Sequence, residues 1–284
     1  MSLHNFAHLR FTILLFTQIG TMATKYRKDF KASKDGDAGK SSVRGPSQVL
    51  ACSAISVACS LCHAIFFGEE KAIGTCHVVS ASAYKLMPPS WIAFFSSIHP
   101  SIHPSIHPHL QDFDESRYES ILACAVIAHH ATCLADTLAS ELGILSKSDP
   151  FLLTAPWRKV PPGTNGGVTM IGFFYSAVGG LLMGVGTLLM DTLSGIETKP
   201  LQMILFSSVC GLIGSILDSL LGATVQATYY DGDKKLIYCR KEDGPKTVEH
   251  ICGLNVLSNA QVNLGSVLIT SIIGGTVLGP TCFA

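Results

Sequence analysis

Two acidic residues lie inside an apolar stretch of the chain, where charged side chains are rare. The stretch covers residues 127–142 and contains Asp136 and Glu141. On a helix that turns about 100° per residue, these acids share a polar arc of roughly 140° with Thr137 and Ser140. That face suits water, a metal or a charged ligand, whereas the opposite face suits lipid or packed helices. An ionisable residue in a membrane segment marks a candidate functional site.

A second apolar stretch, residues 201–224, repeats this arrangement. Its polar face carries an acid and two hydroxyl side chains: Asp218, Ser215 and Ser219. Asp136 and Asp218 are each followed by a hydroxyl residue, and both are expected near one membrane end. Mg²⁺ takes one or two carboxylates together with substrate phosphates. Asp136 and Asp218 are therefore the predicted metal ligands, and with Glu141 they form the predicted catalytic set.

A basic, glycine-rich loop follows the first acidic stretch. Its predicted phosphate- and nucleotide-binding residues are Lys147, Arg158, Lys159, Gly163, Thr164, Asn165, Gly166 and Gly167. Lys and Arg side chains pair with phosphate oxygens, and successive backbone N–H groups at a helix start can hold an anion. The alternative is that the acids form a proton or cation pathway, or only hydrogen bonds between helices.

The composition is typical of a membrane protein. Hydrophobic residues make up 48% of the 284 residues and charged residues 14%, against about 25% charged residues in soluble domains. Several apolar runs approach the ~20 residues needed to span a bilayer. The zero net charge argues against a nucleic-acid partner. We predict an all-α fold, a polytopic transmembrane helical bundle of about six spans in a lipid bilayer.

The chain is divided by apolar runs and basic loops. Residues 1–24 are expected to form an N-terminal anchor span, 25–47 a basic cytoplasmic loop, and 48–284 the membrane domain. Within the membrane domain, 76–112 is a low-complexity insertion that contains Ser-Ile-His-Pro three times. Proline at every fourth position cannot continue a helix. Three loops are basic, 25–44, 146–159 and 234–246. If 78–95 lies at the interface or re-enters the membrane, all three face the cytoplasm.

Three motifs resemble the transmembrane protein 19 family. They are Ala135-Asp-Thr-Leu-Ala-Ser-Glu-Leu-Gly143, Lys159-Val-Pro-Pro-Gly-Thr-Asn-Gly-Gly-Val168 and Gly214-Ser-Ile-Leu-Asp-Ser-Leu-Leu-Gly-Ala223. The likeness runs from about Thr24 to the C-terminus, apart from 76–112. The chain departs from the family pattern at Ala135, Leu138 and Ser258, where Gly, Trp and Asp are usual. Asn259 and Asn263 belong to a further, Asn-rich motif of the family, Leu257-Ser-Asn-Ala-Gln-Val-Asn263. With Thr137, Ser140, Ser215 and Ser219 they are expected to be supporting polar residues.

The resemblance implies a lipid-phosphate kinase. A plant relative in vitamin E metabolism is a phytyl-phosphate kinase, and more distant dolichol and phytol kinases use CTP or related nucleotides with a divalent metal. It therefore implies phosphoryl transfer to an isoprenyl phosphate, with Mg²⁺ and CTP or another nucleoside triphosphate. An endomembrane is the expected location, although the sequence does not name the organelle. By motif match the site residues are Asp136, Ser140, Glu141, Lys147, Lys159, Asn165 and Asp218. The alternative is a non-enzymatic membrane protein, either a pseudoenzyme or a transporter.

Overall fold

The computed structural model describes residues 3–33, 53–66 and 115–283. The helices in these ranges are α1 (Leu3–Lys25), α2 (Lys28–Ala32), α3 (Ala54–Phe66), α4 (Glu115–Gly143), α5 (Met170–Leu193), α6 (Pro200–Val225), α7 (Asn259–Ile273) and α8 (Gly279–Phe283). A π-helical turn, Gly274–Leu278, joins the last two. The predictions for the segment 78–95 and for the insertion 76–112 concern residues outside the described ranges, as does much of the basic loop 25–47.

The predicted membrane-embedded helical fold is confirmed. Four helical segments in the described ranges are long and apolar enough to cross a membrane: Arg117–Gly143, Met170–Leu193, Pro200–Val225 and Asn259–Phe283. The two remaining predicted spans coincide with α1 and α3, which are not among these four. Within the described residues, α3 comprises 13 residues.

The helix α4 lies at the centre of the bundle. It packs against α1, α3, α5, α6 and α7. Its apolar face, with Ala128, Ala131 and Leu134 at 0% exposure, contacts other helices rather than lipid. Small side chains on this face let the neighbouring backbones approach closely. His129 and His130 are also buried, so most of the circumference of α4 is enclosed by protein.

Two small antiparallel sheets interrupt the otherwise helical chain. The strands are β1 (Phe151–Leu152), β2 (Ala155–Lys159), β3 (Gly167–Val168), β4 (Thr228–Asp231), β5 (Leu236–Tyr238) and β6 (Glu249–Cys252). Their orders are β2-β1-β3 and β5-β4-β6. The two sheets and α6 share a small core formed by Leu152, Val160, Ala223 and Cys252. The all-α prediction missed these strands because two to five residues are too few to show an alternating pattern.

Three segments meet at one end of the bundle, which we call the loop end: the segment after α1, the one between α4 and α5, and the one between α6 and α7. There Lys31 Nζ lies 2.7 Å from Glu141 Oε2, and the backbone N–H of Asn165 donates to Thr228 Oγ1 at 3.2 Å. Residues 25–33, 144–169 and 226–258 therefore lie on one side of the bundle. The assignment of this side to the cytoplasm stays a prediction from loop charge.

Candidate functional site

A large cavity opens at the loop end, between α1, α4, α5, α6 and α7 and beneath the two sheets. Its volume is about 1180 Å³. The predicted site residues that line it are Asp136, Thr137, Ser140, Glu141, Gly163, Thr164, Asn165, Gly166, Gly167, Ser215, Asp218, Ser219, Asn259 and Asn263. Four separate stretches of sequence, distant along the chain, thus contribute polar groups to one chamber.

The three predicted phosphate-binding cations lie elsewhere. Lys147, Arg158 and Lys159 are exposed and do not line the cavity. The ammonium group of Lys159 lies 3.7 Å from Asp149 Oδ2, with both side chains largely in solvent. Arg158 and Lys159 belong to β2, at the edge of its sheet. Arg158 is close enough to Cys252, whose thiol contacts Asn165 of the glycine-rich loop, for its charge to act on the pKa of that thiol. The predicted phosphate role of the three cations stays a prediction.

A different cation, Lys31, reaches the site from the N-terminal segment. Its ammonium group donates to Glu141 Oε2 at 2.7 Å and to the Ala23 carbonyl oxygen at 2.7 Å. The two charged side chains are 13% and 23% exposed, so water screens the ion pair only partly. Sequence analysis missed this contact, because the partners lie 110 residues apart and in different predicted segments. Arg240, which follows β5, is a second cation that was missed, and it lines the cavity.

The carboxylate of Asp218 is held by α7. The Ser266 hydroxyl donates to Asp218 Oδ1 at 3.1 Å. The amide of Asn263, in the orientation that gives both of its atoms partners, donates to the same oxygen at 3.2 Å and to the Asn259 carbonyl oxygen at 2.9 Å. Asn259, Asn263 and Ser266 recur at helical spacing, so the polar face of α7 is the signal that could have identified Ser266.

The depth of Asp136 follows from the packing of three helices around Ala135. A Cβ built at Gly179 of α5 would lie 2.6 Å from the Ala135 Cα atom, and one at Gly211 of α6 would lie 3.0 Å from its Cβ atom. A second contact between α4 and α6 joins Thr132 to Gly214, where a Cβ would overlap the Thr132 side chain. Asp136 and Asp218 each lie four residues beyond this contact, about 6 Å along the helix axis. The expectation that the two acids lie at matching depth stays a prediction.

Ser215 of α6 is hydrogen-bonded to a serine of α5. The Ser176 hydroxyl of α5 donates to Ser215 Oγ at 2.9 Å, and both residues are buried. This bond joins α5 to α6 at the cavity wall. Of the predicted supporting residues, Ser215 therefore fixes the helices, while Ser219 lies one turn further along the cavity wall.

The glycine-rich loop is seated directly on α6. Gly166 has a φ of +70°, and a Cβ at this position would lie 2.5 Å from the Ser219 carbonyl oxygen. Three amides of the loop already donate within the protein: Thr164 to Pro161 O, Asn165 to Thr228 Oγ1 and Gly167 to Thr164 O. The predicted cradle of five amides is therefore largely used to fold the loop itself.

Side chains around the loop fix it to the second sheet. The Asn165 amide nitrogen donates to the Ala227 carbonyl oxygen at 3.3 Å. The Cys252 thiol donates to the Asn165 carbonyl oxygen at 3.4 Å, and burial raises the pKa of this thiol. A neutral thiol is the form that can donate this hydrogen bond. Asn165, expected to bind nucleotide, thus has a positioning role in the described structure.

One wall of the cavity is apolar. Ile13 and Phe16 of α1 and Phe173 of α5 line the same chamber as the acids. Thr17, Thr21 and Thr24 continue the wall of α1 toward the loop end. The chamber therefore presents apolar and polar surfaces side by side, an arrangement that fits an amphiphile.

The described residues contain no group of three or more His, Cys, Asp or Glu side chains that could hold a metal ion by themselves. A site of one or two carboxylates remains compatible with Mg²⁺, which keeps several water ligands and binds substrate phosphates. Asp136 and Asp218, supplemented by the hydroxyl and amide oxygens nearby, are the residues of this cavity that fit such an ion.

Comparison with known proteins places the chain among membrane proteins. The family model described as integral membrane protein DUF92 matches residues 1–271. Protein PGR of Arabidopsis thaliana is 36% identical over 167 residues, which are 57% of this chain and 57% of that protein. An uncharacterized membrane protein of Methanocaldococcus jannaschii is 30% identical over 149 residues, 52% of this chain and 48% of its own length.

A third relative, an uncharacterized membrane protein of Synechocystis sp., is 32% identical over 114 residues, 40% of this chain and 42% of that protein. The chain thus spans about half the length of the curated relatives it matches. No solved structure matches it. The chain belongs to the integral membrane protein family DUF92, as the motifs of the transmembrane protein 19 type indicate.

Proposed function

We propose that this protein is a membrane phosphotransferase that moves the terminal phosphoryl group of a nucleoside triphosphate to an isoprenyl monophosphate. The observation that carries the proposal is the composition of one cavity. Asp136 and Asp218 line the same chamber as Ile13, Phe16 and Phe173. An isoprenyl phosphate has these two characters in one molecule, because an apolar chain ends in a strongly anionic group.

The proposed reaction needs positioning and charge stabilisation more than proton transfer. A phosphate monoester has a second pKa of about 6, so near neutral pH its attacking oxygen is mostly deprotonated. A bond forms between this oxygen and the terminal phosphorus, and the bond from that phosphorus to the nucleotide breaks. The products are an isoprenyl diphosphate and a nucleoside diphosphate. Glu141 can therefore remain paired with Lys31, since no general base is required.

The carboxylates are assigned to the metal that accompanies the nucleotide. When bound by Asp136 and Asp218, Mg²⁺ would offset the negative charge that phosphoryl transfer brings together. Ser266 and Asn263 restrict the rotation of the Asp218 carboxylate through the bonds described above. Arg240, whose Nε donates to Asp243 Oδ2 at 2.9 Å, is the cation lining the cavity that we assign to the phosphates, in place of Lys147, Arg158 and Lys159.

The decisive experiment measures label transfer by the purified full chain in lipid nanodiscs. The substrates are γ-labelled CTP or ATP and a panel of prenyl monophosphates. Asp136→Asn and Asp218→Asn should each abolish transfer, and the double variant should be no worse than either single variant, because residues that act as a unit are non-additive. Transfer at the parent rate by a folded Asp218→Asn protein would contradict the proposal.

A matched control comes from α5. Asp191 is buried at the opposite end of the bundle, where its Oδ2 accepts a hydrogen bond from Thr198 Oγ1 at 2.6 Å. It does not line the cavity. Asp191→Asn should therefore retain transfer once its expression is matched to the parent, which separates loss of the site from general loss of stability.

The second candidate is a non-enzymatic role, as a pseudoenzyme or transporter. It is favoured by the ion pair between Lys31 and Glu141, which neutralises one of the three acids, and by the absence of a three-ligand metal group among the described residues. Binding of nucleotide without turnover would support the pseudoenzyme. Movement of a prenyl phosphate across proteoliposomes without nucleotide would support the transporter.

A further inference from the structure

One basic and aromatic surface remains unused by the cavity. It lies on the hairpin β1–β2 and carries Trp157, Arg158 and Lys159. Trp157 is 84% exposed, more than any other large hydrophobic side chain in the described part of the protein. Burying a tryptophan removes a large apolar surface from water, so leaving it fully in solvent is unfavourable. A partner that covers Trp157 would therefore stabilise this surface.

The hairpin geometry pushes these residues outward. Lys159 pairs with Phe151 and Ala155 pairs with Leu152, so three residues of β2, 156–158, face one step of β1. Such a bulge bends the strand and redirects its side chains. Because β2 is an edge strand of its sheet, one side of it has no neighbouring strand, and residues 156–159 are exposed.

The connections to the bundle place this hairpin at the level where the helices leave the membrane. Phe151 of β1 pairs with Val168 of β3, which lies two residues before the start of α5. Adjacent strands lie about 4.8 Å apart, so β2 is roughly 10 Å from β3. The first turns of α5 expose Met170 and Phe174, as expected for a surface that faces lipid.

The charged residues around Trp157 indicate which kind of partner this surface binds. Arg158, Lys159 and Lys147 are exposed cations of this region, and Asp149 is the acid that offsets one of them. Tryptophan is enriched at membrane–water interfaces, and clustered Lys and Arg beside a membrane segment attract anionic lipids. The combination matches the headgroup layer of the bilayer in which the protein already resides.

We propose that the hairpin β1–β2 is an interfacial anchor, in which Trp157 inserts between lipid headgroups while Arg158 and Lys159 bind the phosphates and carboxylates of anionic lipids. This anchor is separate from the cavity and does not rest on the phosphotransferase proposal. It holds β2 against the leaflet on the loop-end side. Since Val160 follows β2 and leads into the glycine-rich loop, the anchor fixes one end of the segment that lines the cavity.

The sequence offers a direct probe, because the chain has two tryptophans, Trp91 and Trp157. In a Trp91→Phe chain reconstituted into phosphatidylcholine vesicles, Trp157 should emit at blue-shifted wavelengths. Lipids brominated near the headgroup should quench it more strongly than lipids brominated near the chain end. If Trp91→Phe fails to fold, the difference between the parent and Trp157→Phe gives the same signal.

Lipid preference tests the cations. Competition between brominated phosphatidylserine and brominated phosphatidylcholine measures the relative binding constant at Trp157. One cation near the surface contributes about fivefold, so the parent should prefer phosphatidylserine about fivefold or more. Arg158→Gln with Lys159→Gln should bring the ratio close to one, and Asp149→Asn should raise it. Lys199→Gln, at the opposite end of the bundle, should leave the ratio unchanged.

Two results would overturn the anchor. Emission typical of water, without quenching by any brominated lipid, would show that Trp157 stays outside the bilayer. A change of emission on adding CTP or ATP, again without quenching by brominated lipid, would assign Trp157 to a nucleotide base instead. A ratio near one in the parent would limit the hairpin to apolar contact and remove the proposed role of Arg158 and Lys159.

Discussion

Replacing Gly166 with alanine tests whether the glycine-rich loop is fixed by contact with α6. The φ of +70° costs a residue with a Cβ atom about 1–2 kcal/mol. The new Cβ would also lie 2.5 Å from Ala223 N and from Ser219 O, and these backbone atoms cannot rotate away. Overpacking of this kind costs about 1–3 kcal/mol. Together, Gly166→Ala should destabilise the protein by about 2–5 kcal/mol.

Gly195 supplies the matched control. Its φ of +71° is nearly the same, but a Cβ there would meet nothing within 4 Å. Gly195→Ala should therefore cost only the conformational part, about 1–2 kcal/mol. The difference between the two variants isolates the contact with α6. At about 2–4 °C per kcal/mol, it should appear as a Tm of Gly166→Ala below that of Gly195→Ala by several degrees.

The assay is thermal unfolding of the detergent-solubilised full chain, followed by a thiol-reactive dye that reports exposure of buried cysteines. Adding Ala223→Gly to Gly166→Ala removes one clashing methyl group but leaves the clash with Ser219 O. The double variant should therefore be more stable than the sum of the single changes predicts, without returning to the parent. A Gly166→Ala protein as stable as Gly195→Ala would refute the seating of the loop on α6.

Two further predictions concern the loop end. Lys31→Gln and Glu141→Gln should show a coupling of about 1–2 kcal/mol in a double-mutant cycle of Tm-derived stabilities, because their 2.7 Å ion pair is largely shielded from water; additive effects would contradict this. Cysteines at Ser148 and Lys235, both exposed, should be labelled by an impermeant reagent from the same side of the membrane, which is the cytoplasmic side if loop charge sets the orientation. Labelling of the two positions from opposite sides would contradict their placement at the same end of the bundle.

Sequence periodicity was sufficient to identify the four long apolar helices and the polar faces of the two that carry the acids. Asp136 and Asp218 stand out because an acid in an apolar run is costly, and the helical repeat places Ser140 and Ser215 one turn away on the same faces. The three motifs were sufficient to identify the family. These features are local, since each depends on residues within a few helical turns of one another.

The tertiary structure alone decided which charges meet. Lys147 and Lys159 are close in sequence to the glycine-rich loop, yet they lie outside the cavity, whereas Lys31 reaches Glu141 across 110 residues. The strand β2 lies at the edge of its sheet, and its two cations do not line the cavity. The sequence could not show this, because such short strands carry too few residues for a periodic pattern. Sequence separation does not determine distance once the chain reverses direction.

The level of Asp136 in the bundle and the hydrogen bonds of the glycine-rich loop could also be known only from the tertiary structure. The level of Asp136 follows from the packing of Gly179 and Gly211 around Ala135, a contact among three helices that no single helix encodes. The amides of the glycine-rich loop were expected to face a ligand, but Thr228 and Pro161 accept two of them. By itself, therefore, the sequence determined the membrane fold, the family and the acidic helices, because these depend on local pattern; the packing of distant segments determined which side chains share the cavity.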